Sequence, residues 1–200
     1  PDLDWTKMKG YFNGIWAGSL RYHQGVFYCH LATPRGGWFV ATTKDLRGKW
    51  DVQAMKDSNG RELRGRGWDD LCPLWDDDGQ AYIIASNFGK RWFPHIYKMS
   101  WDGTQLLDGL IDKDSDMSKN MEIIGGYVVK PFRTAEANKL YKWNGMYYIY
   151  FSEVRNIHGN RVRVPVMRRS KSIYGPYDEQ LLMHSQGKSV DKEPNQGSII

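Results

Sequence analysis

One phrase occurs three times along the 200-residue chain: a turn containing Gly, followed at once by a short aromatic-rich run. It reads His23-Gln24-Gly25-Val26-Phe27-Tyr28, then Asp77-Asp78-Gly79-Gln80-Ala81-Tyr82, then Asn144-Gly145-Met146-Tyr147-Tyr148. Recurrence at intervals of roughly fifty to seventy residues marks a repeat architecture, in which each unit needs its neighbours to bury its apolar face. The runs after the turns, 26–31, 81–85 and 146–151, have the length and composition of strands. Each is followed, after a variable loop, by a second β-like run, at 38–42, 95–100 and 162–167. Two of these second runs share an exit, at 42–50 and 169–177: a small polar residue, Lys, an apolar residue, then Gly and an aromatic. The middle copy closes through Trp101-Asp102-Gly103 instead. Hairpins repeated in this way, with Gly at each turn, are the cue for a β-propeller. Almost no segment has helical periodicity, and the charged stretch 112–119 reads as a loop.

Composition agrees. Aromatic residues make up 14% of the chain, with nine Trp and twelve Tyr. Such residues fit a pleated, half-buried surface, and they also stack on the apolar face of a sugar. No apolar run is long enough to span a bilayer, so no membrane partner is expected. The net charge of +5 is spread along the chain, densest at 61–66 and 161–169. The second group alternates with apolar residues, which predicts a strand with one wet face. Nothing has helix-turn-helix or zinc-finger spacing, so nucleic acid is not an expected partner. Cys29 and Cys72 read as buried free thiols, and two cysteines exclude a cysteine-cluster metal site. His23, His30, His95, His158 and His184 form no pair of metal-ligand spacing. The chain opens on Pro1-Asp2, shows no signal peptide and closes on a half-strand; both ends read as cut, leaving the compartment open.

Two carboxyls stand beside the repeated phrase, Asp70 before the second copy and Glu136 before the third. Carboxyls from neighbouring repeats suit acid–base chemistry on a glycosidic bond. The plain alternatives are structural. Glu136 has Arg133 and Lys139 close by as ion-pair partners, and Asp70 has a rival in Asp69, which in a regular strand points to the opposite face. Asp76, Asp77 and Asp78 read as a turn, because the twelve-position calcium loop is missing. Trp16, taken alone, is an ordinary core aromatic.

Particular words carry a family resemblance. Gly14-Ile15-Trp16-Ala17 with Arg21-Tyr22-His23-Gln24-Gly25, Asp70-Leu71-Cys72-Pro73-Leu74-Trp75 before Asp76-Asp77-Asp78-Gly79, and Thr134-Ala135-Glu136-Ala137-Asn138-Lys139-Leu140-Tyr141-Lys142 before Asn144-Gly145 follow in order. The exit at 169–177 and Asn195-Gln196-Gly197 complete the series. The chain thereby resembles glycoside hydrolase family 43, in its β-xylosidase and α-L-arabinofuranosidase branch. The resemblance implies an all-β, five-bladed β-propeller, of which residues 1–200 are expected to supply about blades two to four and the start of blade five. It implies inverting hydrolysis of xylan- or arabinan-derived oligosaccharides. Glu136 is then the general acid, Asp70 the aspartate that orients it and tunes its pKa, and Trp16 and Gln196 the substrate contacts. The general base is expected on an upstream blade, so this segment alone is expected to be inactive. No cofactor is implied. Gln196 stands where many relatives carry a channel His that sometimes contacts a metal, which leaves a channel Ca²⁺ without support. The alternatives are a sugar-binding propeller without catalysis and an invertase-like glycosidase.

Overall fold

The computed structural model describes residues 14–33, 36–64, 68–87, 93–108, 127–128 and 135–182. The regular elements among them are all strands, arranged as three four-stranded antiparallel sheets in the manner of propeller blades. The first sheet contains β1 (Trp16–His23), β2 (Val26–Thr33), β3 (Gly37–Thr43) and β4 (Asp51–Ala54). The second contains β5 (Trp68–Trp75), β6 (Ala81–Asn87), β7 (Phe93–Met99) and β8 (Tyr127–Val128). The third contains β9 (Ala135–Trp143), β10 (Met146–Ile157), β11 (Asn160–Ser170) and β12 (Asp178–Leu181). Within each sheet the strands are laid down in chain order.

The repeated Gly phrase is the turn between the first and second strand of each sheet. Gln24-Gly25 and Asn144-Gly145 are two-residue hairpin loops whose residues all have positive φ, 47° and 84° in one and 48° and 70° in the other. That backbone matches the right-handed strand twist and explains Gly at the second position. The second strands β2, β6 and β10 lie where the aromatic runs predicted them. The strand before each turn (β1, β5 and β9) was not legible, because its alternation is broken at a point described below. The three exits prove more alike than the sequence suggests. Gly48, Gly103 and Gly175 each donate their N–H to the carbonyl three residues back, on Asp45, Ser100 and Ser172. The middle copy therefore closes with the same hydrogen bond in different words.

The middle sheet is buried on both faces, and strand alternation assigns its residues to two cores. Ala81, Ile83, Ala85, Tyr97 and Met99 pack with Trp38, Val40, Met55 and Leu63 toward the first sheet. Tyr82, Ile84 and Ile96 pack with Leu140, Ile149, Phe151, Val162 and Val164 toward the third. Polar contacts add to each seam. His23 stacks on Trp75 at 4.8 Å, and His30 Nε2 hydrogen-bonds the Gly103 carbonyl at 2.8 Å. Asp76 accepts from Lys142 and Tyr147 of the third sheet, while its own segment forms the expected turn. Cys72 is buried, Cys29 is only half-buried, and both are free.

One close approach sets a strong local requirement. Gly37 opens β3 at φ +109°, and a Cβ there would lie 1.9 Å from the Leu63 carbonyl oxygen. That oxygen accepts the Trp38 N–H at 2.9 Å, so the two backbones cannot simply part. Gly37→Ala is expected to destabilise the protein by about 2 kcal/mol, read as a lower denaturation midpoint at unchanged slope.

Candidate active site

The three first strands share an irregularity at one station. In β1, Trp16 pairs with Ala32 and Ser19 with His30; in β5, Asp69 pairs with Ser86 and Cys72 with Ile84; in β9, Glu136 pairs with Ser152 and Lys139 with Tyr150. Each first strand thus spends three steps where its partner spends two, which is a β-bulge. The residue after the station is left-handed in every case: Ala17 at φ 24°, Asp70 at φ 56° and Ala137 at φ 63°. Left-handed backbone at residues with a Cβ costs of order 1 kcal/mol each, and bulges beside functional sites serve to re-aim side chains. Trp16, Asp69 and Glu136 therefore occupy equivalent stations on three successive strands. β1 packs against β5 and β5 against β9, and the Asp70–Ala137 hydrogen bond joins the second and third stations.

The bulge falls at Asp69 and Asp70, where a regular strand would send neighbouring side chains to opposite faces. Both are buried, and both interact electrostatically with Glu136 and Lys139. The extra residue breaks the alternation that would have separated them.

Hydrogen bonds then lock the second sheet to the third. Asp70 Oδ2 accepts the Ala137 N–H at 2.7 Å, and the buried Asn138 donates Nδ2 to the Asp70 carbonyl at 2.9 Å. Ser86 donates its hydroxyl to Asn138 Oδ1. Lys139, also buried, donates Nζ to the Asn138 carbonyl at 3.1 Å. Glu136 is only half-buried, and its Oε2 lies 3.2 Å from Arg163 Nη1 of β11. The ion pair foreseen for Glu136 is thus present, with Arg163 rather than Lys139 as the partner; Arg133 lies outside the described residues.

Burial dominates the electrostatics. It pushes the Asp69 carboxyl up to about 7, helped by the charge of Asp70 and opposed by a hydrogen bond from the Asp70 backbone and by Lys139. Asp69 Oδ1 is buried without a hydrogen-bond partner. Burial also raises Asp70, against the Ala137 N–H and Lys139. Glu136 is half-open beside these two buried carboxyls.

Of the residues singled out from sequence, Asp70 and Glu136 meet through the Asp70–Ala137 hydrogen bond. Trp16 keeps 40% exposure at the equivalent station of β1. Gln196, His184 and the stretch 112–119 lie outside the described residues. Asp69, weighed from sequence only as a rival to Asp70, is buried beside it, and Arg163 is the residue sequence reasoning passed over. Arg163 sits in an alternating run read as a wet face, yet its side chain is only 14% exposed. Among the described residues no three His, Cys, Asp or Glu side chains come together to hold a metal. Nor is any helix among them long and apolar enough to cross a membrane.

The three antiparallel sheets are blades of a β-propeller, with Asp69, Asp70 and Glu136 near the start of β5 and β9. The chain belongs to glycosyl hydrolases family 43, whose family model matches residues 1–199. This removes the invertase-like alternative. A protein of Formosa agariphila described as a β-xylosidase is 32% identical over 100% of this chain and 34% of its own length. The chain spans about a third of the length of the curated relatives it matches. Among solved structures, a bifunctional GH43-CE protein of Bacteroides eggerthii superposes with a TM-score of 0.61 at 24% identity, over 87% of this chain and 20% of that one. A Cellvibrio cellulosa α-L-arabinanase complexed with arabinohexaose superposes with a TM-score of 0.55 at 19% identity, over 92% of this chain and 58% of that one.

Proposed function

We propose that this chain forms part of the catalytic propeller of a glycoside hydrolase that acts on xylan- or arabinan-derived oligosaccharides by single displacement with inversion. The observation that carries the reading is the Asp70–Ala137 hydrogen bond, which fixes a buried carboxyl behind the strand that presents Glu136. Glu136, half-open at its bulge, is the general acid that protonates the leaving oxygen. Asp70 orients the acid-bearing bulge and, when ionised, favours the protonated form of its neighbour. Trp16 offers an exposed indole for sugar stacking at the matching station of β1. Gln196 is assigned an amide contact with sugar hydroxyls. The base, which must stand roughly 6.5–9.5 Å from the acid across the sugar, is assigned to a carboxylate outside the described residues. Two carboxyls and water suffice for this chemistry, so no cofactor is invoked.

The test follows the first-formed sugar by proton NMR as the full-length protein cleaves an aryl β-xyloside and an aryl α-L-arabinofuranoside. Release of sugar with inverted anomeric configuration is expected. Release with retained configuration sinks the single-displacement assignment. Binding of xylo-oligosaccharide without any release sinks the enzyme reading in favour of a sugar-binding propeller.

A further inference from the structure

Arg163 reaches Glu136 from the third strand of the same sheet. Its Nη1 lies 3.2 Å from Glu136 Oε2 and donates at 3.4 Å to Ser152 Oγ, whose residue pairs with Glu136 in the ladder. The two side chains keep 14% and 21% of their exposure, so the pair is sheltered without being sealed. The other charged groups around Glu136 are accounted for. Asp69 and Asp70 approach from β5, Lys139 on β9 donates to the Asn138 carbonyl, and Glu153 on β10 is paired with Arg155. Among the described residues, Arg163 is the cation that ion-pairs with Glu136.

We propose that Arg163 is a positioning residue for proton transfer: it holds the Glu136 carboxyl in place and takes up the negative charge that develops there as the proton leaves. This role rests on Glu136 being the acid. In that step the Glu136 proton moves to the glycosidic oxygen, and the bond from that oxygen to the anomeric carbon breaks with its electron pair going to the oxygen. Water adds to the anomeric carbon and gives a proton to the base. Glu136 is left as a carboxylate facing the guanidinium. The charge is absent from the protonated ground state and present in the transition state, so the contact strengthens as the reaction proceeds and lowers the barrier. Arg suits the task because its charge is permanent and its planar fork is pre-organised.

The test compares two leaving groups in the full-length protein: xylobiose, whose departing sugar needs protonation, and dinitrophenyl β-xyloside, whose phenolate departs without it. R163Q is expected to lower kcat on xylobiose by about 10- to 100-fold, the scale of a charge-assisted hydrogen bond, with little change in KM. On the dinitrophenyl glycoside the loss should stay below about 3-fold, which also shows that the variant is folded. R163K, which keeps the charge, should recover most of the xylobiose rate. The alkaline limb of the xylobiose pH–rate profile should move to higher pH in R163Q, since removing a cation disfavours the carboxylate form. Equal losses on both substrates, or none on either, overturn the assignment. E136Q separates this failure from that of the acid reading. If E136Q spares xylobiose hydrolysis, the acid reading falls; if E136Q cripples it and R163Q does not, the role of Arg163 alone falls.

Discussion

Glu136→Gln is expected to reduce hydrolysis of xylo-oligosaccharides by the full-length protein by about 100- to 10,000-fold, the range associated with a positioned general acid. The amide has the shape of the carboxyl and can still accept a hydrogen bond from Arg163, so the bulge and the Asp70–Ala137 bond should survive. What it cannot do is release a proton to the leaving oxygen. The loss should therefore fall on kcat, with KM close to its original value, because binding of the sugar is largely preserved. It should also shrink steeply as the leaving group becomes more acidic. An unchanged rate on xylobiose would return Glu136 to the structural role that its ion pair with Arg163 could equally serve. The variant also bears on the sugar-binding alternative, since a protein that binds without cleaving has no rate for the substitution to lower.

The repeat was legible because its signals are local. A Gly at a position of positive φ, followed by an aromatic strand, is written in the same few residues wherever it occurs, and β2, β6 and β10 lie where those residues predicted them. Propeller architecture followed from the recurrence. The first strand of each sheet was harder to read, and the site is built there. Non-glycine residues at positive φ are not announced by their neighbours; Ala17, Asp70 and Ala137 read as ordinary strand residues. At Asp70 and Ala137 that conformation accompanies the hydrogen bond between the second and third sheets, where simple alternation no longer assigns faces to Asp69 and Asp70. Arg163 was hidden for a related reason. Alternation separates two faces of a strand, but it does not say that the polar face is covered by a neighbour's carboxylate. The family words singled out Glu136 and Asp70 and left Asp69 as a rival, while the geometry added Arg163, a residue whose significance depends on a partner distant in sequence.

Asp69→Asn is expected to make the full-length protein more stable at pH 8 by about 2 to 4 kcal/mol while changing little near pH 4. The cause is proton linkage. The folded-state carboxyl is pushed up to about 7, above its ordinary value of 3.8, by burial first and by the charges of Asp70 and Glu136 after it. A carboxyl raised in this way holds its proton in the folded state at pH values where the unfolded chain has released it. The folded state then binds more protons, so stability falls as pH rises from about 4 to about 7, by up to about 1.4 kcal/mol per pH unit. Asn carries no ionisable proton, so this contribution to the decline is absent from the variant, and the difference between the two proteins isolates it. Asp70 is raised as well and keeps its own effect in both. Asp76, Asp102 and Glu179 are lowered, against the pull of burial, by their hydrogen bonds; they destabilise only as the pH falls toward their folded values, again in both proteins. Chemical denaturation at pH 5, 6, 7 and 8 would show a gap that opens with pH if Asp69 is a buried neutral acid. A gap that stays constant would mean that its carboxyl is already ionised in the folded state, beside Lys139, and that the unpartnered Oδ1 carries charge rather than a proton.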